Sequence, residues 1–290
     1  MANARDLKRR IRSVKGTQQI TKAMKMVAAA KLRRAQERIT AARPYADTLQ
    51  RVLQNLAART EHTHPLLEER EVRNVWLVVV SGDKGLCGAF NSNLLREAEH
   101  VLSEKGWPGV EIVAIGKKAA DHFGKRDWHV VHAERETMSQ LTAEDGPRLA
   151  EMFVTAFDSG QVDEVYLLYN RFLSIIRHEI VLERLLPIEP PAAVEAEDEA
   201  GGIDYLYEPS AEALLSELLP RHVAIQTQRA LYDSAAAEQA ARMTAMDAAT
   251  KNADEMIDHL TLVYNRTRQA AITKEILEIV AGAEALGSEA

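Results

Sequence analysis

The chain has 290 residues, enough for two ordinary domains or for one domain and an extended element. Hydrophobic residues make up 46% of it, as in folded soluble proteins, but aromatic residues only 5%. The single cysteine, Cys87, excludes an internal disulfide and fits a reducing compartment. No apolar run reaches the ~20 residues of a membrane-spanning helix, and no signal-peptide pattern follows the basic N-terminus. Composition therefore predicts a soluble, cytoplasmic chain.

Charge is distributed unevenly around a net value of −7. Lys and Arg crowd residues 1–43, where only Asp6 and Glu37 oppose them, whereas acidic residues dominate 183–217. Such a dipolar chain usually has charged partners. Basic helices also bind nucleic acids, but aromatic residues for base stacking are absent before Tyr45.

The first segment, about residues 2–58, has the 3.5-residue apolar period of a helix that packs on another helix. Gly16 weakens this helix, and Pro44 can bend or interrupt it. The seam positions are Leu7, Ile11, Val14, Gln18, Thr21, Lys25, Ala28, Leu32, Ala35, Ile39, Ala42, Leu49, Leu53 and Leu56.

A second long helix is predicted from Pro220 to about residue 287, with the proline in its first turn. Its seam continues on a shifted stripe through Ile272, Ile276, Ile279, Ala283 and Leu286. Before that shift, the seam positions are Met243, Met246, Ala249, Ala253, Met256, Leu260, Val263 and Thr267. Two seams of one period at opposite ends of the chain predict an antiparallel coiled coil.

Between these helices, strands and helices alternate. Strands are expected at 75–80, 110–115, 128–131 and 164–169, with helices at 91–104, 117–123 and 147–157, and 172–186 pairs antiparallel at an edge. The predicted fold class is therefore α/β: a long antiparallel coiled coil of the terminal helices with an inserted Rossmann-like domain and a mainly parallel sheet. The expected domains are 1–60, 73–190, 191–219 (an acidic loop and short helix) and 220–290.

The glycine-rich turn at 82–88 follows the first strand, where many α/β folds bind phosphate. It matches neither G-x-G-x-x-G nor G-x-x-x-x-G-K-[ST], so a tight turn or a contact surface is favoured. Cys87 has no assignable His and acid partners, which favours an inert buried thiol. The pair His62 and His64 has no second ligand pair, so a solvated linker is favoured over a metal site. No catalytic residues, metal or cofactor are predicted.

Four segments together carry a family resemblance. They are IRSVKGTQQITKAMKMVAA at 11–29, DKGLCGAFN at 83–91, RMTAMDAATKNA at 242–253 and ITKEILEIVAGA at 272–283. Their sequences, order and spacing resemble those of the gamma subunits of F-type ATP synthases. The resemblance implies a non-catalytic rotor subunit of the central stalk. The expected partners are the alpha and beta subunits, epsilon and the c-ring, and the expected place is the cytoplasmic side of the cell membrane, touched only through the c-ring.

The same resemblance implies three groups of contact residues. Arg268, Gln269 and Thr273 match positions that meet a beta-subunit loop near the tip. Lys22, Met24, Lys25 and Arg242 match a lower contact beside an acidic region of beta. Tyr205, Tyr207 and Glu208 match a foot that sits on the c-ring.

The chain lacks the long cysteine-bearing insertion of chloroplast members, so a bacterial origin without thiol regulation is expected. Two other classes of protein stay open on the residues alone. A phosphate-binding α/β enzyme would bind nucleotide through the turn at 82–88. A basic coiled-coil nucleic-acid binder would show salt-steep binding of DNA or RNA.

Overall fold

A computed structural model describes residues 4–57, 64–189 and 210–287. Short 3-10 helices lie at Pro65–Leu67 and Thr137–Ser139. The helices are α1 (Ala4–Ala57), α2 (Phe90–Lys105), α3 (Lys117–Phe123), α4 (Asp145–Asp158) and α5 (Ala211–Gly287). The strands are β1 (Val75–Val80), β2 (Val110–Ile115), β3 (Val130–Glu134), β4 (Glu164–Phe172) and β5 (His178–Leu186).

Both terminal helices continue through a proline. Pro44 lies within α1, so the helix is not interrupted there. The expected start of the last helix at Pro220 is wrong, because α5 begins at Ala211 and Pro220 lies inside it. The Oγ of Ser210 accepts the backbone N–H of Ala213 at 3.2 Å, as an N-cap does, and Leu215 is buried in the core. Capping and burial of this first part of α5 offset the cost of an internal proline.

The five strands form one sheet in the order β3-β2-β1-β4-β5. β1 pairs in parallel with β2 and β4, and β2 pairs in parallel with β3. β5 pairs antiparallel with β4 at the edge. The predicted α/β fold with a mainly parallel sheet and long terminal helices is confirmed. The third strand lies two residues later than its predicted start.

Helices cover both faces of this sheet, which explains why β1 is apolar at every position. On one face, Leu77 and Val79 pack with α2 and α3 around the fully buried Phe123. On the other face, Trp76 and Val78 belong to a core that includes α4 and the first part of α5.

Contacts divide the chain into two units. The terminal unit consists of residues 1–27 and 243–290, and the central unit of residues 28–242. The sheet and both of its covering layers belong to the central unit. None of the described helices is both long enough and apolar enough to cross a bilayer.

Candidate functional site

The glycine turn that follows β1 is held by the carboxylate of Asp83. Its Oδ1 accepts the backbone N–H groups of Lys117 at 3.0 Å and Glu136 at 3.1 Å. Its Oδ2 accepts the N–H of Ser139 at 2.7 Å. Three donors from two other segments therefore occupy this carboxylate, and the turn is a structural junction of the central unit.

A segment of α5 lies where Rossmann-like folds bind phosphates, at the carboxyl end of β1. The Oγ of Ser234 donates to the carbonyl oxygen of Val80 at 3.2 Å. A Cβ on Gly82 would lie 2.9 Å from the Cδ of Glu238, so glycine allows the turn to approach α5 closely. The turn at 82–88 therefore contacts a helix of its own chain, as the tight-turn interpretation predicts.

Glu238 and Arg242 form a buried ion pair one helical turn apart in α5. The Nη2 of Arg242 lies 2.5 Å from Oε1 of Glu238 and donates to the carbonyl oxygen of Gly85 at 3.2 Å. Burial raises the pKa of Glu238, and the nearby Arg242 opposes that rise. Arg242, one of the predicted beta-subunit contacts, is therefore already engaged within the central unit.

Cys87 is a buried thiol in the same turn. Its side chain is only 2% exposed, and the Nδ2 of Asn91 lies 3.2 Å from its Sγ. Burial raises the pKa of the thiol, and the Glu238 carboxylate raises it further. Because the thiolate is the reactive form, this environment makes an inert thiol, as the sequence predicts.

Within the terminal unit, α1 and α5 are antiparallel. The ammonium of Lys25 pairs with Asp247 at 2.5 Å, and the hydroxyls of Thr21 and Thr250 lie 2.8 Å apart. Gln18 donates to Asp254. As the residue number rises along α1 from 18 to 25, the partner's number falls from 254 to 247. The polar stretch of the first seam therefore bonds to polar residues of α5.

The first-helix members of the lower contact group differ in their surroundings. Lys22 is exposed, and Met24 is half-buried. Lys25 is held by Asp247, whose second oxygen pairs with Lys251 at 3.1 Å. The hydrogen bond from Lys25, followed by that from Lys251, keeps the pKa of Asp247 below its usual value. Lys22 is thus the exposed cation on α1, whereas the Lys25 side chain is 43% exposed and paired.

Burial confirms the predicted seam of α1 where its side chains are described, and it corrects the α5 seam at Met256 and, further on, at Ile272, Ile276 and Ile279, which are exposed. The seam residues of α1 with a described side chain, from Leu7 to Leu53, are all buried or half-buried. In α5, Met246 and Ala253 are buried. Met256 was expected to follow them, but its side chain is 52% exposed, and Ile257 is half-buried in its place. The next seam position after Ala253 thus comes four residues later instead of three. The face of α5 that packs on α1 therefore shifts to Ile257.

The end of the part of α5 whose side chains are described is exposed on every side. When the antiparallel register of Lys25 and Asp247 is continued along both helices, Ala4, the first described residue of α1, lies beside Arg268. The described part of α1 therefore does not extend beyond Arg268 of α5. The tip segment, residues 268–281, contains exposed residues only. Arg268, Gln269 and Thr273, the predicted upper contact group, lie within it. The large exposed apolar residues of this segment are Ile272, Ile276, Leu277, Ile279 and Val280.

Two sequence predictions fall wholly or partly outside the described residues. The foot residues Tyr205, Tyr207 and Glu208 lie outside them, as does His62. His64 caps the 3-10 helix at Pro65–Leu67 through its Nδ1, which accepts the N–H of Leu66 at 3.1 Å. Among the described residues, no three His, Cys, Asp or Glu are grouped as a metal site would require.

Sequence reasoning missed the partners of the predicted cations. Asp247 lies within the segment 242–253 that carries the family resemblance and Glu238 lies just before it, yet neither was expected to bind Lys25 or Arg242. The spacing of four residues from Glu238 to Arg242 was an available signal for that pair. The pairing of Lys25 with Asp247 could have been found by aligning the two seams antiparallel.

Comparison with known proteins identifies the family. A family model described as ATP synthase matches residues 3–286. The chain is 51% identical to the ATP synthase gamma chain of Moorella thermoacetica over 287 residues, which cover 99% of this chain and 100% of that one. It is 49% identical to the ATP synthase gamma chain of Desulforamulus reducens, with the same coverage of both chains.

Solved structures agree with this result. A chain from the central stalk and c-ring of the Tetrahymena thermophila mitochondrial ATP synthase matches 79% of this chain and 99% of its own length, with a TM-score of 0.60 and 25% identity. A chain of the Euglena gracilis mitochondrial ATP synthase shares the fold, with a TM-score of 0.69 over 98% of this chain and 94% of its own, at 23% identity. The chain therefore belongs to the gamma-chain family of F-type ATP synthases, the subunits of the central stalk.

Proposed function

We propose that this chain is the rotor that couples rotation of a membrane c-ring to ATP synthesis or hydrolysis. The catalytic sites belong to alpha and beta subunits, and this chain moves them through their states without catalysing a reaction itself. The observation that carries the proposal is the antiparallel pairing of α1 and α5 in a chain 51% identical to an ATP synthase gamma chain. A packed pair of helices resists twisting better than a single helix does.

The tip segment supports insertion into a sleeve formed by alpha and beta. An isolated soluble protein rarely exposes so many large apolar side chains within one short segment. The apolar residues Ile276, Ile279 and Val280 suit a surface on which the tip can turn without being held by directional bonds. Arg268, Gln269 and Thr273 add polar groups that can make and break hydrogen bonds with a beta-subunit loop as the tip turns.

A lower contact with beta is proposed at Lys22, Met24, Lys25 and Arg242. Lys22 is the exposed cation of the group and is therefore available to an acidic partner surface. Lys25 and Arg242 already pair with carboxylates of this chain, so in each of the two units the ion pair holds its cation in a fixed place. An acidic segment of beta would be attracted to the exposed lysine at low salt, and less strongly at high salt because salt screens the charges.

The other end of the rotor is proposed to contact epsilon and the c-ring. Tyr205, Tyr207 and Glu208 would form the foot, since tyrosine and an acid suit polar loops at a rim. The complex would be peripheral, on the cytoplasmic side of the cell membrane. A crosslinker placed at position 205 should reach the c-ring, and crosslinks confined to other soluble subunits would contradict this assignment.

Reconstitution tests the proposed function. The chain is mixed with matched alpha and beta subunits, and the complex is isolated and assayed for ATPase activity. We expect one copy of the chain per three alpha–beta pairs, with activity that depends on the chain. If well-folded partners form no complex while the chain alone binds DNA or RNA with salt-steep affinity, the rotor assignment is wrong.

The upper contact group is tested in the same complex by Arg268→Ala with Gln269→Ala. We expect ATP hydrolysis to fall about tenfold, which corresponds to a rise of ~1.4 kcal/mol in the activation free energy. The matched control is Asn265→Ala with Arg266→Ala, an exposed amide and guanidinium one turn earlier in α5. An unchanged rate and unchanged coupling in the first variant would remove the contact assignment and leave the assembly role intact.

A further inference from the structure

A cavity of 370 Å³ in the central unit has five basic side chains among its fifteen lining residues. It lies between α1, the glycine turn, residues 138–142 and α5. Its charged lining residues are Lys31, Arg34, Arg38, Lys84 and Arg242, with Glu238 as the one carboxylate. Cavities of this size hold small ligands in many proteins.

The basic lining is not neutralised within the described chain. The carboxylate of Glu238 pairs with Arg242, and the charge of Lys31 also acts to lower its pKa, so a single carboxylate faces five cations. The guanidinium of Arg38 donates to the carbonyl oxygen of Leu141 at 2.8 Å and lies 6.0 Å from the ring centre of Tyr232.

The other three cations have no such anchor. The side chains of Lys31, Arg34 and Lys84 make no hydrogen bond or ion pair with the residues that the structure describes. They come from two separate segments, yet they line one cavity. Like charges gathered in this way repel each other, and a bound anion would remove that cost.

We propose that this cavity binds a multiply charged phosphate group, either inorganic pyrophosphate or the diphosphate of a nucleotide. Arg34 and Arg38 can each present a planar pair of N–H donors to phosphate oxygens, and Lys31 and Lys84 act as point charges. The cations surround one cavity of small-molecule size, which fits a compact polyanion. The bound group joins α1 to the glycine turn, so it stabilises the central unit and takes no part in catalysis.

Titration calorimetry of the full chain with pyrophosphate tests this site. We expect saturable binding of one pyrophosphate per chain, which weakens as salt rises, and a higher melting temperature with ligand. The variant Arg34→Gln with Lys84→Gln removes two exposed cations and should bind at least ~10-fold more weakly, a loss of ~1.4 kcal/mol. Lys31→Gln, a single change on α1, should weaken binding in the same direction.

The matched control is Arg96→Gln with Lys105→Gln, which removes the same charge from exposed positions of α2. This variant should bind pyrophosphate as the unchanged chain does. A second titration with ADP separates the two sources, because tighter binding of ADP indicates a nucleotide and equal binding indicates the phosphates alone. No saturable binding, or an equal loss in the α2 control, would overturn the proposal.

Discussion

The guanidinium of Arg242 joins two parts of the central unit, since its Nη2 lies 2.5 Å from Oε1 of Glu238 and 3.2 Å from the carbonyl oxygen of Gly85. Through this one side chain, the glycine turn after β1 is tied to α5. Ser234 makes a second tie, to the last residue of β1. In a rotor, these bonds would carry force from the sheet to the helix.

We expect Arg242→Ala to destabilise the central unit by about 3–5 kcal/mol, because the Glu238 carboxylate would remain buried without its partner. Urea unfolding followed by tryptophan fluorescence measures this change. All three tryptophans, Trp76, Trp107 and Trp128, lie in the central unit and report on it alone.

The control for this variant replaces both partners, Glu238→Gln with Arg242→Met, which removes the buried charges together. It should lower the free energy of unfolding less than Arg242→Ala does, since apolar or neutral pairs often replace buried ion pairs with little loss of stability. If the single and double variants unfold at the same urea concentration, the unpaired Glu238 carboxylate is not the cause of the destabilisation.

Two glycines of the same turn should differ in their tolerance of alanine. A Cβ on Gly82 would lie 2.9 Å from the Cδ of Glu238, a carboxyl group that Arg242 holds in place. A Cβ on Gly85 would meet no atom within 4 Å. We expect Gly82→Ala to cost ~1–3 kcal/mol by overpacking, and Gly85→Ala to change stability by less than ~0.5 kcal/mol. The same urea titration distinguishes them, and equal midpoints for both variants would show that Glu238 can move aside.

Glu134 should make the central unit sensitive to acid. Burial alone would raise its pKa, but hydrogen bonds from Arg148, Thr137 and His132 outweigh that effect and lower the pKa from 4.5 to about 2. When folding lowers the pKa of a carboxyl group, its ionised form stabilises the folded state at pH values above the pKa that it has in the unfolded chain. For Glu134 this stabilisation is lost as the pH falls from about 4.5 toward 2.

Glu134→Gln removes this contribution, so we expect it to flatten the fall in urea midpoint between about pH 5 and pH 3. The control is Glu151→Gln, an exposed position of α4, which should fall with acid as the unchanged chain does. A Glu134→Gln variant that keeps the full acid sensitivity would assign that sensitivity to other carboxylates.

Local patterns in the sequence predicted most of the fold. The all-apolar run of β1 identified a strand covered on both faces, and the period of α1 identified its buried side from Leu7 to Leu53. The predicted start at Pro220 was wrong because the unfavourable effect of proline on a helix is visible in the local sequence. The burial of Leu215, which stabilises the helix before Pro220, depends on a core that only the folded chain forms. Met256 was wrongly predicted to be buried because its apolar side chain fits the seam spacing, and the sequence does not show which face of α5 packs on α1.

The contact residues were less predictable, because their state depends on residues distant in sequence. Lys25 pairs with Asp247, 222 residues away, and Arg242 donates to the carbonyl oxygen of Gly85, 157 residues away, as well as to nearby Glu238. Lys22 and Arg268 are exposed, but exposure alone does not distinguish a contact from a solvated charge. The glycine turn was predictable as a structural turn because its spacing matches neither of the two glycine-rich phosphate-binding motifs.

The tip segment should matter for assembly and not for the stability of the chain itself. We expect Ile276→Ser with Ile279→Ser to leave unfolding of the isolated chain unchanged, because these side chains are 54% and 72% exposed. In the reconstituted complex with alpha and beta, each isoleucine would lose part of the ~1.5–3 kcal/mol that full burial of such a side chain provides. The complex should therefore dissociate at least ~10-fold more readily.

Size-exclusion chromatography over a dilution series measures the dissociation of this complex. The matched variant Ile276→Leu with Ile279→Leu keeps the apolar surface and should assemble as the unchanged chain does. If the serine variant also assembles normally, apolar contact at the tip does not hold the rotor in its sleeve. Retention would then depend on polar contacts such as those proposed for Lys22 and Arg268, whose strength falls as salt is added.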